Sequence, residues 1–150
     1  MKLALIADEI GHNMSRQLSA ALSRMGFKHN YLDVSVLSIK PCIACASCSG
    51  KTFGRCVQKD DMEKVYRAIA QSDHWVLLSS LRFGGLSSKA KRVLDRSGTL
   101  GDAHYYYQDR ELVKGRKSKT RTYSAVGVKF ACSEKEKMPF CICTKKIHAS

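Results

Sequence analysis

Four cysteines packed into one short run are the residues of this chain best suited to chemistry. Cys42, Cys45, Cys48 and Cys56 lie in PCIACASCSGKTFGRC (Pro41–Cys56), with the spacing C-x2-C-x2-C-x7-C. C-x2-C spacing lets one turn of backbone present two thiolates to a single centre. Doubling it wraps three thiolates around a cube-like cluster, and a later cysteine closes the fourth corner. Ile43, Ala44, Ala46 and Ser47 stand between the thiols. Small side chains there let backbone N–H groups approach the sulfurs, and such hydrogen bonds tune potential. Structural zinc sites more often take two C-x2-4-C pairs from separate segments. The spacing therefore favours a [4Fe–4S] cluster, with a metal-free reduced loop and then zinc as alternatives. Lys40, Lys51, Arg55 and Lys59 flank the thiols and would favour the reduced, more negative form of a cluster.

The flanking elements must hold this loop in place. Leu3–Ala7 is a continuous apolar run, as in a strand covered on both faces. Met14, Leu18, Leu22 and Met25 recur at helical spacing, with Gly26 as the stop. Tyr31–Ile39 reads as a second strand running into the cysteine loop. Asp60 is a good N-cap, with Glu63 three positions on, for a helix burying Met62, Val65 and Ile69. His74–Ser80 is another apolar strand, and Ser87 caps a helix that turns Ala90, Val93 and Leu94 inward and closes at Gly98. Thr122–Cys132 reads as a fourth strand and PFCICT as a short fifth, while Asp102–Gly115 has no firm assignment. Alternating strands and helices predict a parallel sheet with helices on both faces. Ligands of such sheets sit outside the carboxyl ends of the strands. Asp8–Asn13, Leu81–Gly85 and Ser133–Met138 occupy those ends, and the cysteine loop can share the same rim.

The 150 residues suffice for one domain with a real core, spanning 1–150. The amino-terminal apolar run is too short for a secretory signal, and no window approaches a membrane span of about 18 residues. This predicts a cytoplasmic protein, where thiols stay reduced and clustered cysteines suggest metal or redox chemistry before disulfides. Net charge is +13, and residues 110–150 contribute eleven Lys or Arg against three Glu. Such a segment either solubilises the chain or attracts an anion: nucleic acid, an acidic protein or a phosphorylated cofactor. Cys132, Cys141 and Cys143 read as small buried hydrophobes before a second metal site. His74 reads as structural. His104 with Tyr105–Tyr107 reads as a loop packed on the sheet edge before the lining of a ligand mouth.

The stretch from Pro41 to Arg96, with its cysteine loop, DDM, apolar strand, RFGG turn and K…DR, resembles the NADPH-dependent FMN reductases. It is most similar to their iron–sulfur flavoprotein branch. The resemblance implies a flavodoxin-like three-layer αβα fold with a parallel sheet of order 2-1-3-4-5, here with a shortened carboxyl-terminal part. It also implies FMN with its ring on the third-strand turn, Ser79, Ser80, Leu81, Arg82, Phe83, Gly84 and Gly85. The two glycines, lacking Cβ atoms, would let backbone come close to the ring, and Arg82 could supply a charge beside it. The family's phosphate loop resembles G-S-P-R-x-x-G-N-S-x-x-L. This chain keeps its length together with Ser15 and Leu18, but has Asp8 and Ile10 where the family has a serine and an arginine. His12, Asn13, Ser15 and Arg16 remain as phosphate donors, whereas Asp8 and Glu9 would oppose a phosphate unless they turned outward.

These readings predict an FMN-dependent electron-transfer oxidoreductase, with or without a [4Fe–4S] cluster on Cys42, Cys45, Cys48 and Cys56. Electrons would pass from a ferredoxin-like protein or NAD(P)H to a small acceptor, with no side chain acting as a covalent nucleophile. The chain is expected to form a homo-oligomer. One alternative is an NAD(P)H-dependent FMN reductase without a cluster. The other is a cofactor-free binding module whose basic segment meets nucleic acid or an acidic protein.

Overall fold

The computed structural model describes residues 1–8, 11–101, 104–114 and 121–129. Four parallel strands carry the fold: β1 (Lys2–Ala7), β2 (Lys28–Asp33), β3 (His74–Arg82) and, last in the chain, β7 (Thr122–Val128). β1 pairs with β2 on one side and β3 on the other, and β3 pairs with β7, so the order is β2-β1-β3-β7. This matches the first four strands of the expected 2-1-3-4-5 order of a flavodoxin-like αβα fold. A two-residue strand, β4 (Gly85–Leu86), folds back antiparallel on the end of β3. The helices are α1 (Gly11–Arg24), α2 (Met62–Ala70) and α3 (Ser88–Ser97).

The apolar runs sort by strand alternation onto two unequal faces. Ala4, Ile6, Trp75 and Leu77 face α2 and α3, where Met62, Val65, Ile69, Ala90 and Val93 are buried with them. At about 1.5–3 kcal/mol for each large side chain removed from water, this layer dominates the hydrophobic stabilisation. On the other face Leu5, Ala7 and Leu78 meet Leu18, Tyr31 and Val76, a much smaller cluster. Met14 and Met25, expected on the inner stripe of α1, are exposed instead. Only Leu18 and Leu22 of that stripe are partly covered. The second strand starts earlier and ends sooner than its apolar pattern suggests. Beyond Asp33 the chain leaves the ladder, and Val34 and Ile39 plug into the larger core from the loop.

Local signals govern the helix ends. Gly26 stops α1 with φ +77°, a left-handed conformation that costs glycine little. The Ser87 hydroxyl accepts the Ala90 amide at 3.2 Å, as its capping role requires. α2 begins at Met62, a little later than expected, yet Asp60 still accepts the Met62 amide at 3.1 Å. Glu63 does not close a capping box; it pairs along the helix with Arg67 at 3.6 Å. The unassigned aromatic stretch is an antiparallel hairpin, β5 (Tyr105–Gln108) and β6 (Glu111–Lys114). Its Tyr105–Tyr107 are exposed rather than packed on the sheet edge. No described helix is long and apolar enough to cross a membrane. The loop 133–138, the expected fifth strand at 139–144, and Cys132, Cys141 and Cys143 lie outside the described residues, as does most of the basic run 114–121.

Candidate functional site

The cysteine loop leaves β2 and returns to α2 on the rim formed by the carboxyl ends of the strands. Within it the chain is tightly folded on itself. Ser47–Ser49 form one 3-10 turn, and the Gly54 amide donates to Cys48 O at 2.8 Å. Thr52 Oγ1 joins Ser47 O at 3.0 Å to Arg55 O at 2.7 Å. Ala44 and Ala46, on either side of Cys45, take positive φ values of 50° and 53°. Left-handed residues interleaved with ordinary ones turn successive amides inward, the backbone form that cradles anionic and iron–sulfur groups. The predicted approach of donors to sulfur is present at Cys45. Hydrogen bonds from the Ser47 hydroxyl and then its amide hold the thiol below its ordinary pKa. All four thiols are free; Cys42 and Cys45 are exposed, and Cys48 and Cys56 half-buried.

Two residues close this loop that the sequence does not mark as part of the site: Asp60 is expected only as a helix cap, and Arg96 has no expected role. Arg96, on α3, and Asp60, ahead of α2, form an ion pair at 2.5 Å, both side chains nearly excluded from water. From its two Nη atoms Arg96 also donates to Lys40 O at 3.1 Å, where the loop begins, and to Cys56 Sγ at 3.4 Å, where it ends. Its Nε–H is buried with no acceptor among the described residues. Asp60 accepts the Lys40 amide at 3.0 Å. Burial opposes ionisation of Asp60. The Arg96 hydrogen bond, the Lys40 and Met62 amides and the Arg96 charge outweigh it, keeping the carboxyl below its ordinary value. Gln58 Nε2 adds a bond to Pro41 O at 2.9 Å, and Arg92 Nη1 one to Ile39 O at 2.9 Å. Arg96 follows Val93 at i+3, so a cation falls on the buried face of an amphipathic helix. That was the available signal. A cleft of about 600 Å³ opens beside Cys56, bordered by Arg55, Lys59, Glu63, Tyr66 and Arg67.

The predicted flavin turn is a two-residue hairpin. Leu81 pairs with Leu86 and Arg82 with Gly85, leaving Phe83 and Gly84 at the tip with φ of 50° and 73°. Both central residues of a type I′ turn need positive φ. Phe83 is fully exposed there, and Arg82 is exposed beside it. Leu81 packs so closely on Gly127 of β7 that a Cβ at Gly127 would come within 2.6 Å of its side chain. Ser79 and Ser80 are buried and engaged. Asp8 accepts Ser79 Oγ at 2.9 Å, the Ser80 amide at 2.9 Å and Ser80 Oγ at 3.2 Å. Ser79 Oγ in turn accepts the Ser87 amide at 2.9 Å, joining the turn to the start of α3.

Asp8 thus escapes the expected conflict with a phosphate by turning inward, not outward. Ser15 is buried and donates to Tyr31 Oη at 3.0 Å, and Arg16 is exposed. His12 and Asn13 contribute backbone to the first turn of α1, and their side chains lie outside the described residues, as does Glu9. The structure therefore brings the cysteine loop, the β3 hairpin and the start of α1 to one rim. Among the described residues, no three His, Cys, Asp or Glu side chains are gathered for a single metal ion. A cube-like cluster gives each thiolate its own iron and spreads the four over a wider frame. The four free thiols suit that group by donor type.

A parallel sheet of this order, with loops converging at its carboxyl edge, defines a flavodoxin-like fold, a class whose ligands sit at that edge. The chain belongs to the NADPH-dependent FMN reductase family, whose sequence profile matches residues 3–116. An iron–sulfur flavoprotein of Archaeoglobus fulgidus is 33% identical over 87 residues, 56% of this chain and 39% of the relative. One of Methanocaldococcus jannaschii is 29% identical over 85 residues, 57% of this chain and 43% of the relative. The chain thus spans about two-fifths of the length of these relatives. Among solved structures, an NAD(P)H:quinone oxidoreductase of Methanothermobacter marburgensis superposes with a TM-score of 0.69 at 12% identity. That match covers 99% of this chain and 75% of the other. An FMN-dependent NADH-azoreductase of Bacillus anthracis gives 0.54 at 11% identity, covering 93% and 76%. At such identities these two matches establish the fold alone.

Proposed function

We propose that this chain is an FMN-dependent electron-transfer oxidoreductase that carries a [4Fe–4S] cluster on Cys42, Cys45, Cys48 and Cys56. It would take electrons from a ferredoxin-like protein or NAD(P)H and deliver them to a small acceptor. The observation that carries this reading is the cysteine loop itself: four free thiols on a rim loop whose two ends are fastened by one buried arginine. The family match and the iron–sulfur flavoprotein relatives support it. A cluster supplies single electrons and FMN stores two, so the pair would convert between one- and two-electron traffic.

The residues of this chain would act by binding and by excluding water. The amides at the start of α1, directly after β1, suit a phosphate, with Arg16 as a nearby cation. Asp8, which would otherwise repel that phosphate, has its charge enclosed by Ser79 and Ser80 donors. The Phe83–Gly84 tip and Arg82 would meet the flavin ring. The cleft beside Cys56 would give a partner access to the cluster, and the exposed Tyr105–Tyr107 hairpin would serve a homo-oligomer in the cytoplasm.

Anaerobic reconstitution with iron, sulfide and FMN tests the proposal. About four irons per chain and one FMN, with overlapping absorption between about 300 and 600 nm, are the expected result. A chain that stays colourless refutes it. The family match favours a second reading, an NAD(P)H-dependent FMN reductase without a cluster. Stoichiometric FMN with no iron, and flavin bleaching on addition of NADPH, would select that one.

A further inference from the structure

Arg96 has a use that the ion pair with Asp60 does not exhaust. A buried arginine needs only a carboxylate and a carbonyl or two to satisfy its charge, and Asp60 and Lys40 O supply them. Yet the second Nη reaches past both to Cys56 Sγ, and the Nε–H remains buried without an acceptor among the described residues. Cys56 also stands apart from the other three thiols. The bonds that wind the loop run from Ala46 to Arg55 and stop short of Cys56, whose sulfur is met instead by a side chain from α3. We propose that Arg96 is the positioning residue of the fourth cluster ligand. It holds the Cys56 sulfur at the closing end of the loop and, by donating an N–H to it, raises the cluster's reduction potential. The inference rests on the [4Fe–4S] reading above.

The physics is that of an outer-shell donor. An N–H directed at a ligating sulfur stabilises the more negative, reduced cluster, and hydrogen bonds to the sulfurs are among the determinants of potential. Outer-shell partners commonly alter metal affinity 10- to 100-fold. Because Arg96 also bonds Lys40 O, one side chain gauges the distance between the loop's two ends. Asp60 keeps that guanidinium oriented by accepting from Nη1 while Nη2 meets the sulfur.

The test compares the wild-type chain, Arg96→Lys, and the double variant Asp60→Asn/Arg96→Met, all reconstituted anaerobically with iron and sulfide. Replacing a buried ion pair by uncharged groups is often tolerated, so the double variant guards against simple unfolding. It removes one charge of each sign, so the net charge near the loop is unchanged while the N–H···S bond is lost. Three quantities are read: iron per chain, the rate of iron loss to a chelator, and the potential from a titration followed by electron paramagnetic resonance. The double variant is expected to release iron about 10-fold faster or more and to titrate at a lower potential than wild type. Arg96→Lys, keeping the charge but losing the planar fork, should fall between them. Wild-type iron retention and potential in both variants overturn the proposal while leaving the cluster reading intact. A wild-type chain that takes up no iron sinks both, and a variant that loses stability with its potential unchanged assigns Arg96 to the fold alone.

Discussion

Asp8 and Asp60 are two buried carboxylates on the same rim, and the fold treats them differently. Asp60 is met by a guanidinium as well as amides, and fastens the long loop that carries the four thiols. Asp8 is met, in the bonds described above, by hydroxyls and an amide, and fastens a short strand turn whose own hydroxyls it engages. The contrast follows from what each segment lacks. The cysteine loop has no regular secondary structure to bring its ends together, so it needs a side chain with several donors in a fixed fork. The β3 turn already has its ladder, and needs only its last polar groups satisfied. Loop closure by charge and turn closure by neutral donors should fail in different ways.

The largest expected effect is at the charged brace. Arg96→Ala leaves Asp60 buried and unpaired, which should cost about 3–5 kcal/mol, read as a lowered midpoint in urea unfolding of the iron-free chain. A smaller loss, about 1–3 kcal/mol, is expected for Asp8→Ala, which takes the carboxylate acceptor from the Ser80 amide and hydroxyl and leaves Ser79 Oγ only Ser80 O. Equal losses at the two sites would erase the distinction between them. Ser87→Ala, which removes only a helix cap, should cost about 1 kcal/mol. The finest discrimination comes from pH. Asp60 has a folded-state pKa below its unfolded value. Its contribution is therefore complete above the unfolded pKa and disappears as pH falls through the folded one. Asp60→Asn should flatten the acid limb of a stability–pH curve below about pH 4, and an unchanged limb would remove Asp60 from that role.

Much of the architecture was legible because burial writes apolar runs. β1 and β3 read directly as strands covered on both faces, and α2 and α3 as amphipathic helices with Ser87 at the cap. The β5–β6 hairpin was not legible, for a physical reason. Its tyrosines are all exposed, so no alternation marks a buried face, and its tip is Asp109–Arg110 at positive φ rather than a glycine pair. α1 was read as better buried than it is, since Met14 and Met25 satisfy a helical period without finding a partner surface. At the site, spacing alone exposed the thiols. The brace that closes their loop joins residues 36 positions apart, and no local pattern links them. Likewise the inward turn of Asp8 depends on Ser79 and Ser80, 71 and 72 positions away.

Closing the cysteine loop through side chains of the surrounding fold has a thermodynamic consequence. Bringing the ends of a flexible segment together costs configurational freedom that grows with its length, and small zinc modules meet that cost only when the ion binds, so they stay unfolded without it. Here Arg96 and Asp60 draw the two ends together through the fold itself. The ordering of that loop is thereby tied to the packing of α2 and α3, and its closure cost is met when the domain folds.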